Sequence, residues 1–216
     1  MESDEKAALS PALAQVLTTE HFTLQGARAV LASEVSSRAT IYLSAVSSAV
    51  VALAFITTLS QAEEWIRGFT LVLLPVLSFM GFVTKARLVQ ISYTDFHYQR
   101  AINRIRHFYV DVAPESARYL LLSIHDDLSG VADSAVYDQG RRMGILTAAQ
   151  MIAVVNYVVV GLLGGIIFAW LTGVNTTTLI LVGIAIGLAL AMFDFRRSET
   201  RWNAYVASLD VRFPTP

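Results

Sequence analysis

Long apolar segments dominate the pattern of hydrophobic and polar positions along the chain. Residues 143–193 form a run of 51 positions without Asp, Glu, Lys, Arg or His, interrupted only by a short polar cluster at 172–178. An α-helix needs about 20 apolar residues, at ~1.5 Å each, to cross a hydrocarbon core. The run therefore predicts two membrane helices joined by a turn, and a second uncharged pair at 39–62 and 68–84 predicts two more.

The polar segments beside these spans also favour helices. Ser10 and Pro11 are typical of a helix start, and Thr18 or Thr19 could cap a second helix that runs to Arg38. No Gly or Pro separates the later spans from the segments 85–110 and 194–209 that follow them. The sequence thus predicts an all-α, polytopic membrane protein with four transmembrane helices that extend into a small cytosolic helical region.

The positions of the cations predict the orientation, because Lys and Arg near span ends are retained on the cytoplasmic side. Lys85, Arg141 and Arg142 lie beside spans on the same predicted side, whereas Arg67 lies in an opposite turn. Both termini are then cytoplasmic, and the turns at 61–67 and 172–178 are outside. The predicted parts are cytosolic N-terminal helices (1–38), a first transmembrane hairpin (39–84), a cytosolic helical region (85–145), a second hairpin (146–193) and a cytosolic C-terminal helix and tail (194–216).

Composition agrees with a membrane protein, because 55% of the residues are hydrophobic and only 15% are charged. The chain has no cysteine, which excludes disulfides, thiolate zinc sites and cysteine nucleophiles. The net charge of −1 carries little information. No stable binding of a nucleic-acid duplex is expected. The expected partners are the lipid bilayer and further copies of the chain.

A basic stripe marks the amphipathic segment 85–110. His97, Arg100, Arg104 and His107 recur at steps of three, four and three, so they share one helix face. Arginine forks bind phosphate or carboxylate oxygens, which makes a nucleotide or another small anion one interpretation. Lipid headgroups or ion pairs with nearby acids are the alternatives. Further cations that could approach the stripe are Arg118, Arg141 and Arg142, and the apolar side of the segment is formed by Leu88, Ile91, Phe96, Ile102, Ile105 and Tyr109.

The sequence His125-Asp126-Asp127 has the residue types of a metal or hydrolase site. Adjacent residues on a helix point in different directions, however, and the usual catalytic motifs are missing from the sequence. A structural cap or salt bridge is the favoured interpretation. We expect a non-enzyme without a cofactor or a metal.

Small and hydroxylated residues form a narrow face on the first span, at steps of four, three, four, three and four. That face predicts either a helix contact or a pore lining. No ionisable residue lies deep in a span, which argues against an ion-coupled transporter. The face consists of Thr40, Ser44, Ser47, Val51, Ala54 and Thr58, the third span adds the amide of Asn156, and the predicted packing glycines are Gly161, Gly165, Gly183 and Gly187.

Three segments, at 17–28, 101–109 and 123–127, resemble those of an uncharacterised group of small bacterial proteins with four membrane spans. The plan of spans plus a small cytosolic part is also similar to that of membrane effectors in antiphage signalling systems. These resemblances imply a location in the bacterial inner membrane and a channel opened by a nucleotide-like signal.

The resulting expectation is an oligomeric channel or pore-forming effector, gated by an anionic cytosolic ligand in bacterial defence. The alternative is a structural or scaffold membrane protein that holds lipid or a partner without conductance. A facilitator for a small neutral solute is a third interpretation.

Overall fold

The computed structural model describes residues 11–58, 62–134 and 147–216, and these residues form helices without a β-strand. The all-α prediction is confirmed for this part of the chain. Four helices are long and apolar enough to cross a membrane. The helices are α1 (Pro11–Ile56), α2 (Ala62–Val112), a 3-10 helix (Pro114–Tyr119), α3 (Leu128–Ser134), α4 (Ala148–Thr172) and α5 (Thr176–Ala207).

Three of the long helices extend beyond their apolar segments, as predicted. The helix α1 begins before its segment and ends at Ile56, earlier than the predicted end at 62, whereas α2 and α5 continue after theirs. The helix α1 has 46 residues, α2 has 51 and α5 has 32, all more than a membrane crossing requires. The prediction of a separate second helix from Thr18 or Thr19 is wrong. Because nothing there breaks the helix, Thr19 is an interior residue, and its Oγ1 donates to the carbonyl of Gln15 at 2.9 Å instead of capping.

In both hairpins the second helix begins earlier than predicted. Arg67 was expected in a turn at 61–67, but α2 already begins at Ala62 because no glycine or proline there stops a helix. In the second hairpin only residues 173–175 are non-helical. Gly173 ends α4 in the left-handed conformation with φ 69°, and Asn175 Oδ1 accepts from the Thr178 backbone at 3.0 Å, which caps the start of α5.

The chain divides into two compact units. The first unit consists of Met1–Glu34, Gln90–Met143 and Ala204–Pro216, and the second consists of Val35–Val89 and Gly144–Asn203. In the first unit Leu24 of α1 packs against Ile102 and Ile105 of α2. The predicted apolar side of the segment 85–110 has six residues. Five of them are buried, and the sixth, Tyr109, packs against the Leu24 cluster.

The second unit contains the apolar parts of the four long helices. Its core joins Ala49 of α1 to Leu74 and Leu77 of α2 and to Val159 of α4. The helix α5 approaches the backbone of α4 closely at several glycines. A Cβ at Gly165 would lie 2.6 Å from the carbonyl oxygen of Leu179, and one at Gly183 would lie 2.9 Å from that of Gly161.

Candidate functional site

Asp126 holds the two central arginines of the predicted basic stripe. Its side chain is 0% exposed, and its Oδ2 accepts from Arg104 Nε at 2.6 Å and from Arg100 Nη2 at 3.4 Å. Arg100 Nε also donates to the Asp126 backbone carbonyl at 2.7 Å. Helical spacing places both arginines on one face of α2, and the loop before α3 supplies the carboxylate.

The C-terminal segment, residues 210–215, covers the same cluster. The carbonyl oxygen of Asp210 accepts from Arg100 Nη2 at 2.5 Å and also from Arg104. The backbone N–H groups of Arg212 and Phe213 donate to Asp126 Oδ1 at 3.1 and 2.8 Å. The Asp126 N–H donates to the carbonyl of Phe213 at 3.1 Å. The segment is therefore held mainly through its backbone.

Two side chains of this segment anchor it further. The ring of Phe213 stacks on His107 with centroids 3.8 Å apart and planes 20° apart. Thr215 donates to Asp127 through its N–H at 3.1 Å and through its hydroxyl at 2.8 Å. Asp127 also accepts from the Gly130 N–H at 2.8 Å, which caps the start of α3.

The electrostatics of the cluster keep both carboxylates ionised. Burial by itself raises the pKa of Asp126, but bonds from the Phe213 N–H, from Arg104 and from the Arg212 N–H outweigh it and lower that pKa below its ordinary value. Burial likewise raises the pKa of Asp127, and bonds from Gly130 and Thr215 reverse the direction. The cluster therefore contains fixed negative charge beside its two arginines.

Asn103 fixes the loop that carries Asp126. It is fully buried, and its Nδ2 donates to the His125 carbonyl at 2.7 Å, while its Oδ1 accepts from Gln99 at 3.0 Å. The loop passes so close to Gly130 that an added Cβ there would collide with His125. This role of Asn103 was not predicted from the sequence.

The structure brings together three of the predicted ligand-binding residues, namely Arg100, Arg104 and His107. His97 is exposed on α2 and lies apart from the cluster, and Arg118 is exposed on the 3-10 helix with its guanidinium carbon 4.8 Å from the Tyr119 ring centroid. Arg141 and Arg142 lie outside the described residues. Sequence reasoning missed the partners of the stripe, because Asp126 and the C-terminal segment are distant from it along the chain.

The contacts around His125-Asp126-Asp127 match the structural interpretation of that motif. Asp126 forms salt bridges and Asp127 caps a helix. Within the described ranges, no group of three or more His, Cys, Asp or Glu residues could hold a metal ion. Contacts with acids, one of the alternatives for the basic stripe, occur at Asp126 and between His107 Nε2 and Asp111 Oδ1 at 3.7 Å. Asp95, another nearby acid, pairs instead with Arg28 of α1 at 2.7 Å.

A second polar cluster lies in the second unit. Tyr42 of α1 donates to Asn156 Oδ1 of α4 at 3.1 Å, and a Cβ at Gly81 would collide with the Asn156 side chain. One helical position further along α4, Tyr157 contacts Lys85 Nζ at 3.0 Å, and Lys85 is paired with Asp194 of α5. Sequence reasoning counted Lys85 only as an orienting charge, since its partner is 109 residues away.

The small-residue face of the first span is exposed in the single chain. The opposite face of α1 carries Tyr42 and Ala49, which are buried in the second unit. The face is therefore not covered by the other described helices. Its members, Thr40, Ser44, Ser47, Val51, Ala54 and Thr58, are all exposed.

Comparisons of the chain with family models, curated proteins and solved structures found no match. The fold by itself defines a coarse class. The chain is an all-helical protein with four helices long and apolar enough to span a membrane, which suggests a multi-pass membrane protein.

Proposed function

We propose that this chain is the subunit of an oligomeric membrane channel or pore-forming effector in which the small-residue face of α1 lines a central axis. The single observation that carries the proposal is the exposure of all six members of that face. Four of them are hydroxylated, and three of these, Thr40, Ser44 and Ser47, lie on α1, whose other side is buried in the bundle. Hydroxyl groups suit a pore lining better than a lipid contact.

The spacing of the face supports several subunits around one axis. The five steps cover 18 residues, an average of 3.6 per step, so the members stay on one side of a straight α-helix. Small residues at that period allow close approach of neighbouring copies, and one four-helix chain has little room for a water-filled path. Such a passive conduit needs no ionisable residue within the membrane.

The proposal includes a signal and a location. An anionic, nucleotide-like ligand acts on the arginines of α2, and it must prefer the open arrangement because equal affinity for both states shifts nothing. The protein resides in the bacterial inner membrane with both termini in the cytoplasm. Its role is that of an antiphage membrane effector, in line with the architectural resemblance.

A structural or scaffold role is the second candidate, and one observation favours it. Arg100 and Arg104 are already bonded to Asp126 and to the Asp210 carbonyl, as expected of residues that only hold the fold together. This role predicts no conductance under any ligand.

Current measurement in planar bilayers distinguishes the two candidates. Ser44 and Ser47 are both replaced by Leu in one variant, and Val50, which is exposed on the same helix outside the small-residue face, is replaced by Leu in the control. A channel lined by this face gives current in the parent protein and in Val50→Leu, and none in the double variant, because two bulky apolar side chains per subunit close the path and expel water.

Two results would reject the proposal. The first is a parent protein that gives no current with nucleotides or inorganic phosphates present, although light scattering shows that it is folded and assembled. The second is a current of equal size in the double variant and in the control.

A further inference from the structure

Two guanidinium groups converge on one uncharged oxygen in the first unit. Arg100 and Arg104 both donate to the backbone carbonyl of Asp210, and Arg100 is itself buried. We propose that this carbonyl occupies an oxyanion site, and that a phosphate or carboxylate ligand binds there by displacing the C-terminal segment.

The charges around the carbonyl favour an anion over the carbonyl itself. The two guanidinium charges exceed the one carboxylate of α2 and its adjoining loop that bonds them, that of Asp126. Asp127 is also ionised, but its bonds are to Gly130 and Thr215 and not to either arginine. An oxygen that carries negative charge forms shorter hydrogen bonds to Arg, roughly twice as strong as those of a neutral acceptor. Phosphate can also present separate oxygens to the two arginines, whereas the single carbonyl oxygen must serve both.

Departure of the segment does not remove the positive charge. The segment carries Asp210 and Arg212, which pair with each other at 3.3 Å and are both exposed. Their opposite charges leave together, so the net charge of the site changes little. The carboxylate of Asp210 is 3.8 Å from Arg104 Nη2, which makes it a weak competitor for an anion.

The segment can leave without unfolding a helix. The helix α5 ends at Ala207, and residues 209–216 beyond it are non-helical. The bonds lost are the arginine bonds to the Asp210 carbonyl, the bonds between Asp126 and the backbone of Arg212 and Phe213, the contacts of Thr215 and the stack of Phe213 on His107. Because the segment is tethered beside the site, a ligand must compete with it. The apparent affinity equals the intrinsic affinity multiplied by the fraction of molecules in which the site is free.

This inference deepens the proposed function by naming how its anion site is regulated, and it is tested by the position of the segment rather than by current. The chain has no cysteine, so Pro216→Cys gives a unique attachment point for a nitroxide spin label. The labelled protein is placed in nanodiscs of zwitterionic lipid and titrated with inorganic phosphate. Sodium chloride of equal ionic strength is the control for screening.

The expected result is a phosphate-dependent rise in the mobile fraction of the label, with no such rise in chloride. A parallel sample in nanodiscs that contain phosphatidylglycerol, without added phosphate, separates the two sources of the ligand. A mobile label in that sample identifies the lipid headgroup as the oxyanion, and an immobile label identifies a free anion.

Three variants connect the response to the site. Phe213→Ala removes the stack on His107 and should lower the phosphate midpoint roughly three- to tenfold. Arg104→Gln should abolish the phosphate dependence, whereas Arg118→Gln, which removes the same charge from the exposed 3-10 helix, should leave it unchanged. Arg104→Lys keeps the charge but loses the fork, so it should raise the midpoint even if Arg104→Gln fails to fold.

Two outcomes overturn the inference. In the first, the label stays immobile at saturating phosphate in the parent protein but is mobile in Phe213→Ala. The label then reports release of the segment, and phosphate does not cause that release. The other is an unchanged phosphate response in both Arg104 variants.

Discussion

Asp126 bonds to two parts of the first unit. Its two oxygens accept from the arginines of α2 and from the backbone of Arg212 and Phe213, and its own N–H donates to the C-terminal segment. A buried carboxylate is tolerated when its charge is paired and its lone pairs accept bonds. Asp126 meets both conditions, and it is therefore the residue on which the attachment of the C-terminal segment depends most.

The pKa shift of Asp126 predicts how that attachment responds to pH. Its pKa is lowered below 3.8 in the folded protein, so its stabilising contribution is fully present above the unfolded pKa and is lost as pH falls through the folded value. Asp127 has a shift of the same direction. The other charged or titratable groups of the cluster are Arg100, Arg104, His107, Asp111, His125, Asp210 and Arg212. We expect the spin label on residue 216 to stay immobile at neutral pH and to become mobile below about pH 4.

Asp126→Asn tests the origin of this pH response. The amide cannot carry the charge that pairs with the arginines, so the label should already be more mobile at pH 7 and its pH response should be smaller. A residual response is expected from Asp127. Asp133→Asn, at an exposed position of α3, is the matched control and should titrate like the parent protein. If Asp126→Asn also follows the parent curve, Asp126 does not control the attachment.

At the scale of elements, the contact between α4 and α5 depends on the absence of side chains. A Cβ at Gly161 would collide with the carbonyl oxygen of Gly183, and one at Gly187 would lie 3.0 Å from that of Tyr157. These obstacles are backbone atoms, which cannot rotate away. The close approach of two helices whose outer surfaces are exposed and apolar is therefore specified by four glycines.

Gly161→Ala should weaken this contact. The added methyl forces the two helices apart, and overpacking of this kind costs about 1–3 kcal/mol. Gly68→Ala is the control, because an added Cβ at Gly68, inside α2, meets nothing within 4 Å. The replacement of a helical glycine by alanine there should stabilise by about 0.5–1 kcal/mol. Thermal unfolding in detergent, followed by tryptophan fluorescence, should give a lower midpoint for the first variant and an unchanged or higher one for the second.

The helices could be predicted from the sequence because their signals are local. Uncharged runs marked the spans, and the scarcity of Gly and Pro beside them predicted that the helices continue. The prediction of the turn in the first hairpin was less accurate, because Arg67 was expected in the turn but lies inside α2. Charge alone does not end a helix when the neighbouring residues all favour one.

The partners of the basic stripe could not be predicted, because they are long-range. Arg212 donates to Asp126 across 86 positions of the chain, and Lys85 pairs with Asp194 across 109. No periodicity relates such residues. The stripe itself was visible at steps of three and four. Only the fold shows that Arg100 and Arg104 already have acceptors and that His97 is an exposed residue of α2.

At the scale of the whole molecule, the proposed orientation follows from cations near the span ends. Reaction with a membrane-impermeant maleimide tests it directly, because the parent chain has no cysteine and gives no background. Thr177→Cys marks the start of α5, beside the turn at 173–175, and Arg118→Cys marks the 3-10 helix. Both positions are exposed in the single chain.

In intact bacterial spheroplasts, Thr177→Cys should react fully and Arg118→Cys should react only after the membrane is permeabilised. The physical reason is that moving the arginines beside the spans to the outside would oppose the retention of cations on the cytoplasmic side. The opposite pattern would put the oxyanion site outside the cell, where a cytosolic nucleotide could not reach it. Reaction of both positions in intact spheroplasts would contradict the assignment of α5, or of the helices before it, as membrane spans.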